Sequence, residues 1–316
     1  MTVPPSRATR TLAGCLTATG LALIGAATLE PYRLRTRVVQ VTLPRGCDAL
    51  TGTRIAFLTD FHIGGPGPSA RNTLEAIERL RAWRPHLVLL GGDYFDQGRF
   101  SPTTVFDGLC DVQPVFAVLG NHDYRQGEHN ARRIATFLAE RGVRVLRNEC
   151  VVIDLPNGSQ LELVGLDDPY TGLHDSSLLA QPLTPHPRVL LAHSPSVLEA
   201  VPVGSADIGL FGHTHWGQIR LNWSRWLNPL DAAWYLDRIR KKPHARFQRG
   251  WFWERGMLAY VSSGIGQTQL PFRLFARPEV VLLEFAAHGA DTHRPCDDPR
   301  RYVRERHGTG ASGALR

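Results

Sequence analysis

Leu87-Val88-Leu89-Leu90-Gly91-Gly92-Asp93, followed by Tyr94-Phe95-Asp96, is the stretch on which the reading of this chain turns. Four consecutive apolar residues spell a short strand buried on both faces. Two glycines then let the backbone turn sharply, and Asp93 projects beyond the strand end. The same device recurs four times. Ile55-Ala56-Phe57-Leu58-Thr59 runs into Asp60 and His62, and Val115-Phe116-Ala117-Val118-Leu119-Gly120 runs into Asn121, His122 and Asp123. Val189-Leu190-Leu191-Ala192 ends at His193, and Ile208-Gly209-Leu210-Phe211-Gly212 ends at His213 and His215. Each buried strand delivers metal-ligand residue types at its carboxyl end, the edge where active sites lie in open α/β sheets.

The segments between these strands set the fold class. Ser69 to Arg84 have helical periodicity, with Leu74, Ile77 and Leu80 on one face and Pro85 as the stop. Strand, helix and strand in that order form a βαβ unit, which places Asp60 and Asp93 at one edge of one sheet. Glu128 to Arg141 read as a second helix, with Ile134, Phe137 and Leu138 inward and Gly142 as its cap. Val38 to Leu43 form a strand ahead of the first motif. Beyond Cys150 the texture changes: Cys150–Leu155 and Gln160–Leu166 alternate around Pro156-Asn157-Gly158-Ser159, a hairpin signal. Strands at Val189, Ile208, Leu258 and Val280 follow with few helices. A half built of βαβ units joined to a half built of strands predicts an α/β protein with two sheets packed face to face and helices outside.

Composition bounds the function. The 43% hydrophobic content of 316 residues supports a large core, and 21% charged residues are too few for a disordered chain. The balance of 36 basic against 29 acidic residues gives +7, which suits an anionic partner such as a phosphate ester or an anionic membrane. Lys241 and Lys242 are the only lysines, so nearly all of that charge is arginine, which pairs with phosphate bidentately. Five cysteines without paired spacing imply no disulfide framework and no zinc knuckle.

Residues 1–37 read as a signal or membrane-anchor segment, because Thr11 to Leu29 carry no charge and are about long enough to cross a bilayer. The competing reading is a buried or surface-lying helix. Arg7 and Arg10 before the segment balance Arg33, Arg35 and Arg37 after it, so charge sets no orientation. Residues 38–286 make the folded domain. Within it, residues 216–256 interleave six of the seven tryptophans with arginine and lysine, a mixture expected of a lid that meets lipid or of a loop that packs on the domain. Residues 287–316 form a polar tail expected to be disordered. Asp167 and Asp168 read as caps of a turn before Pro169.

The series Asp60-Phe61-His62, Gly92-Asp93-Tyr94-Phe95-Asp96, Gly120-Asn121-His122-Asp123, Ala192-His193-Ser194 and Gly212-His213-Thr214-His215 resembles, in order, the signature of the calcineurin-like metallophosphoesterases. Gly165-Leu166-Asp167-Asp168-Pro169 and Gly217-Gln218-Ile219 resemble the family's bacterial membrane-linked branch, which includes phosphodiesterases and UDP-2,3-diacylglucosamine hydrolases. The resemblance implies a four-layer αββα sandwich of two mixed β-sheets with flanking helices. It also implies two divalent metal ions, of manganese, iron or zinc. Asp60, His62 and His215 would hold one ion, Asn121, His193 and His213 the other, and Asp93 would bridge them. His122 would face the substrate, with Asp96 as its partner, and Asp123 would be a structural hydrogen-bonding residue. Trp216 stands where relatives often carry glycine, which predicts a bulkier rim.

The function expected on this basis is hydrolysis of phosphoester or pyrophosphate bonds in a membrane-associated, lipid-linked substrate, in the manner of UDP-2,3-diacylglucosamine hydrolysis during lipid A biosynthesis. The chain would be anchored at the bacterial inner membrane. An exported phosphodiesterase acting on cell-envelope material is the alternative. A nuclease ranks lower, because the basic residues form no groove-lining stripe.

Overall fold

The computed structural model describes residues 7–43, 48–219, 249–287 and 298–306. A helix, α1, spans Arg7–Leu29 and leads into strand β1, Arg35–Val41. Strand β2 (Arg54–Leu58), helix α2 (Ser69–Trp83), β3 (Leu87–Leu90), β4 (Val115–Ala117), helix α3 (Glu128–Ala139) and β5 (Val143–Val145) follow. The second half contributes β6 (Glu149–Asp154), β7 (Gln160–Gly165), β8 (Arg188–Leu191), β9 (Ile208–Phe211), β10 (Gly250–Glu254), β11 (Met257–Val261), β12 (Glu279–Phe285) and β13 (Val303–Arg306).

These strands make two mixed sheets. The first has the order β13-β1-β12-β2-β3-β4-β5 and the second β10-β11-β9-β8-β7-β6. In the first, β2 through β5 run parallel. In the second, β7, β8, β9 and β11 run parallel. All five motif strands therefore lie in the parallel parts.

The short motif strands are apolar throughout because both of their faces are covered. Val88 and Leu90 of β3 point into the core beneath α2 and α3. Leu87 and Leu89 point into the core between the sheets, against residues such as Leu163, Leu191 and Leu210. A third core, with Val164, Leu190 and Phe211, covers the outer face of the second sheet beneath 3-10 turns at Ser176–Ala180 and Pro195–Glu199. Three cores between four layers give the sandwich, and each large apolar side chain fully buried in them contributes roughly 1.5–3 kcal/mol.

Several expectations are corrected. Leu74 of α2 is 50% exposed, because Thr73, Ala76, Ile77 and Leu80 form the inward stripe and position 74 lies at its edge. The polar tail is ordered in part: β13 pairs antiparallel with β1, and Tyr302 before it is buried, stacked on Trp253 with ring centroids 5.5 Å apart. One apolar anchor and a free sheet edge suffice to order a segment that composition marks as polar. Within the expected lid at 216–256, residues 250–254 instead form β10, where Trp251 and Trp253 pack on the inter-sheet core. Residues 220–248 of that segment, with Trp223, Trp226 and Trp234, lie outside the described residues.

At the edge of the second sheet opposite the motif loops, Arg188 is bidentate on the buried Glu162 (2.8 and 3.1 Å) and also donates to the carbonyls of Gln181, Pro182 and Ser205. Removing the cation alone leaves the Glu162 charge with only the Cys150 thiol and the Thr184 hydroxyl as donors, and takes a donor from three carbonyls. Arg188→Met is expected to lower the unfolding free energy by about 3–5 kcal/mol in urea titrations, while hydrolysis by the folded fraction is unchanged.

Candidate metal centre

The loops after β2, β3, β4, β8 and β9 converge where the parallel ends of the two sheets meet. Backbone hydrogen bonds tie them together: Asp60 N–H donates to Gly92 O (3.0 Å), His62 N–H to Asp93 O (2.9 Å) and Gly212 N–H to His193 O (2.8 Å). The turns are tight. Asp60, His62, Asp93, His213 and His215 all take positive φ, between 46° and 70°. Each such non-glycine residue costs of order 1–3 kcal/mol, a strain that collects at functional sites.

Asp93 occupies the centre. One oxygen, Oδ1, accepts the N–H of His122 (2.8 Å), and Asp123 fixes the turn by accepting the N–H groups of Asp93 (2.9 Å), Gly120 (2.8 Å) and Tyr94 (3.0 Å). Asp123 is thus a structural hydrogen-bonding residue, as expected. The other oxygen of Asp93, Oδ2, lies 3.5 Å from His62 Nε2 and 3.2 Å from His193 Nε2. It faces two groups of donors at once.

On one side, His62 Nε2 and His215 Nε2 are 3.0 Å apart, and His215 Nε2 is 3.4 Å from Asp60 Oδ1. On the other, His213 Nδ1 lies 2.8 Å from Asn121 Oδ1 and 3.3 Å from His193 Nε2. The donor atoms of Asp60, His62 and His215 fall within 4.8 Å of one another, as do those of Asp60, Asp93 and His193. The seven residues expected as ligands are therefore all brought together, in two sets meeting at Asp93. Nitrogen and carboxylate donors crowded into a buried pocket are the chemistry that a pair of borderline divalent cations satisfies.

The rings are oriented from behind. His193 Nδ1–H donates to Gly91 O (2.7 Å), which turns Nε2 toward the cluster. The Tyr170 ring is tilted by 38° against that of His213, with centroids 4.6 Å apart, on a turn that Asp168 caps by accepting Tyr170 N–H (2.8 Å).

Asp96 departs from expectation. Its Oδ1 is 3.2 Å from His62 Nδ1 but 3.7 Å from His122 Nδ1, so its hydrogen-bond partner is His62. His122 Nδ1 instead accepts the backbone N–H of Gln97 (3.1 Å), a contact made possible by the left-handed conformation of Gln97. That bond leaves the proton of the neutral ring on Nε2.

A segment the sequence reading passes over closes the site. Residues 262–276, between β11 and β12, form a strap along the motif loops: Ile265 N–H donates to Thr59 O (3.0 Å) and Gly266 N–H to Asp60 O (2.7 Å). Thr268 Oγ1 donates to Asp96 Oδ1 (3.1 Å). The fully buried Arg273 places Nη2 3.3 Å from His215 Nδ1 and donates to the carbonyl of Gly266. The signal was an apolar run, Met257–Val261, leading to Gly264 and Gly266. It carries no ligand residue type and so resembles any buried strand. The bulkier rim expected of Trp216 is modified as well: its indole N–H is tied to Val261 O (2.8 Å), with Arg37 over the ring at 5.3 Å.

A family model of the calcineurin-like phosphoesterases matches residues 53–217. The chain belongs to that family. Among relatives of this phosphoesterase, the phosphodiesterase YaeI of Escherichia coli is 34% identical over 235 residues, 73% of this chain and 81% of YaeI. The metallophosphoesterase YkoQ of Bacillus subtilis is 27% identical, over 78% of this chain and 88% of its own. The UDP-2,3-diacylglucosamine pyrophosphatase LpxG of Chlamydia trachomatis is 25% identical, over 87% of this chain and 96% of its own. The phosphoesterase is thus a metal-dependent hydrolase, and its donor clusters are consistent with a binuclear centre.

Electrostatics sets the terms of metal loading. Burial works to lower the His193 pKa, but Asp93, Asp60 and Asp168 around it carry it well above the usual imidazole value. Burial works to raise that of Asp93, yet His193 and its hydrogen bond hold it well below the carboxylate range. Without cations His193 is therefore protonated at neutral pH, and a cation must displace that proton. Because the pKa is raised, lower pH favours the proton, so affinity for Mn²⁺ should rise from pH 6 to pH 8. Calorimetry in buffers of different ionisation enthalpy should register proton release. Asp96→Asn should weaken metal affinity by roughly 10–100-fold through His62, and an unchanged affinity with a slower turnover would restore the expected pairing with His122.

Proposed function

We propose that Asp60, His62, Asp93, Asn121, His193, His213 and His215 hold two divalent cations, of manganese, iron or zinc, for hydrolysis of a phosphodiester or pyrophosphate bond in a lipid-linked substrate at the bacterial inner membrane. The observation that carries this reading is the single Asp93 oxygen facing both donor sets. When bound, such cations lower the pKa of water toward ~7 and neutralise charge on phosphoryl oxygens.

The chain's own contribution begins with orientation. Asp123 and the loop-to-loop hydrogen bonds hold Asp93 at the seam, so the donors are positioned before substrate arrives. His122 is mostly buried, and burial together with repulsion from His62 lowers its pKa to about 4, against the attraction of Asp93. Its ring is neutral at pH 7 and offers Nε2–H. In this role His122 donates a hydrogen bond to the leaving oxygen or to a phosphoryl oxygen as charge develops there. Asp96 acts one step back, on His62.

Support for a lipid-linked substrate comes from the uncharged run Thr11 to Leu29 within α1 and from the likeness to LpxG over 96% of that protein's length. If the substrate is UDP-2,3-diacylglucosamine, as in lipid A biosynthesis, the catalytic domain faces the cytoplasm. The likeness to YaeI favours a second reading, an exported phosphodiesterase acting on cell-envelope material.

An activity panel with metal-loaded protein separates these readings. We expect the pyrophosphate of a nucleoside-diphosphate lipid or a simple phosphodiester to be cleaved, and a phosphomonoester and single-stranded DNA to be cleaved far more slowly. Preference for single-stranded DNA would refute the lipid reading, and a carboxyl-terminal topology reporter on the outer side would leave only the exported phosphodiesterase. Asp93→Asn should abolish both metal occupancy, measured by elemental analysis, and hydrolysis.

A further inference from the structure

Most of the exposed large apolar side chains among the described residues gather where α1 meets the strap. Ile24, Leu29, Tyr32, Leu74, Leu270 and Phe275 are each between 48% and 61% exposed. The elements that carry them are bonded to one another. Arg273 N–H donates to Ala27 O (3.0 Å), joining strap to α1, and Ala276 N–H donates to the buried Glu30 carboxylate (2.7 Å). Asn72 of α2 donates to Pro31 O (2.9 Å) and Ile265 O (3.3 Å), so one amide clamps α2, the end of α1 and the strap. Leu270 and Phe275 flank Arg273, Leu29 and Tyr32 flank Glu30 and Pro31, and Leu74 lies one helical turn from Arg71, which sits over the Tyr32 ring. Among the described residues Leu21 and Leu23 lie further back along α1, and Val152, Leu173 and Val203 lie away from both α1 and the strap.

From this arrangement we propose that the ledge formed by the end of α1, Tyr32, Leu74 and the strap residues Leu270 and Phe275 is the surface on which a lipid bilayer rests. A contiguous exposed apolar patch marks an interaction site, and three observations choose lipid as its occupant. The ledge continues into α1, whose residues from Thr11 to Leu29 are uncharged and span about 28 Å at 1.5 Å per residue. Among the described residues no helix is long and apolar enough to cross a membrane, so contact along the surface is what the ledge itself supplies. Arg33 and Arg71 are exposed near it without a carboxylate partner among the described residues, and Arg71 sits over the Tyr32 ring at 5.9 Å. Arginine and tyrosine beside an apolar surface fit the headgroup layer of an anionic bilayer. A second copy of the chain fits poorly, because a two-fold contact would bring the same arginines against each other.

The same strap touches the metal centre through Gly266 and Thr268, so ledge and donor cluster lie on two sides of one short segment. A lipid resting on the ledge has its headgroup beside the cluster, and a soluble phosphodiester needs no such contact. The inference takes its partner from the lipid-linked reading above and is independent of the hydrolytic chemistry.

The test uses the full chain, with its five native cysteines changed to serine. An environment-sensitive dye is attached at Leu270→Cys or, as a control beyond the opposite sheet edge, at Val203→Cys. Vesicles of equimolar phosphatidylglycerol and phosphatidylcholine should blue-shift the emission at 270 and leave 203 unchanged. Arg33→Gln with Arg71→Gln should weaken vesicle affinity by roughly ten- to thirty-fold. No shift at 270, an equal shift at 203, or a shift on raising protein concentration without lipid each overturns the proposal. Thermal unfolding checks the fold of each labelled protein, and Leu74→Cys replaces Leu270→Cys if the latter unfolds. Failure to hydrolyse a soluble diester would count against the enzyme reading and leave the dye result standing.

Discussion

The burial of the Asp93 carboxylate at the seam between two sheets is the constraint on which the rest of the molecule depends. An ionised carboxylate out of water is costly unless charge and hydrogen bonds compensate it. Here one oxygen is satisfied by the His122 amide, and the other faces imidazoles from both sheets. Neither sheet could supply that environment alone. Packing the sheets face to face through a large apolar core brings the loops together, and the loops are compatible only in the register that this packing sets.

Such a site is crowded with groups that oppose one another. Burial raises the pKa of Asp123 to about 7, helped by its neighbour Asp93, and burial raises that of Asp60 as well. His215 is driven well below the usual imidazole value by burial and by His62 and Arg273. In each of these three groups burial favours the neutral form, and a like-charged neighbour pushes the same way. The backbone strain at five of the proposed ligands points the same way, since a relaxed chain would not choose those conformations.

Around this centre the strap joins three things that are distant in sequence: the Asp96–His62 pair, His215 and the end of α1. Arg273 is the joint, because its backbone reaches Ala27 while its side chain reaches His215. A segment that reads as an ordinary connection between strands thus couples the amino-terminal helix to the donor cluster, and the apolar ledge is the outer side of the same coupling.

The sequence by itself determined the five motif strands, the βαβ order that sets Asp60 and Asp93 at one sheet edge, and which candidate donor residues lie just past the strand ends. Four-residue apolar runs have few alternatives to a doubly covered strand, and a ligand residue type just past a strand end can only face the sheet edge. It also determined that Asp123 would be spent on hydrogen bonds. What only the tertiary structure decided were the pairings across loops: Asp96 with His62, His122 with the Gln97 amide, Tyr170 against His213 and Thr268 on Asp96. It likewise decided the ordering of β13 by Tyr302 and the exposure of Leu74. The physical reason is range. Periodicity and turn chemistry act within a few residues and are written locally, whereas a hydrogen bond between side chains 34 or 172 positions apart depends on how two sheets dock, which no local pattern encodes.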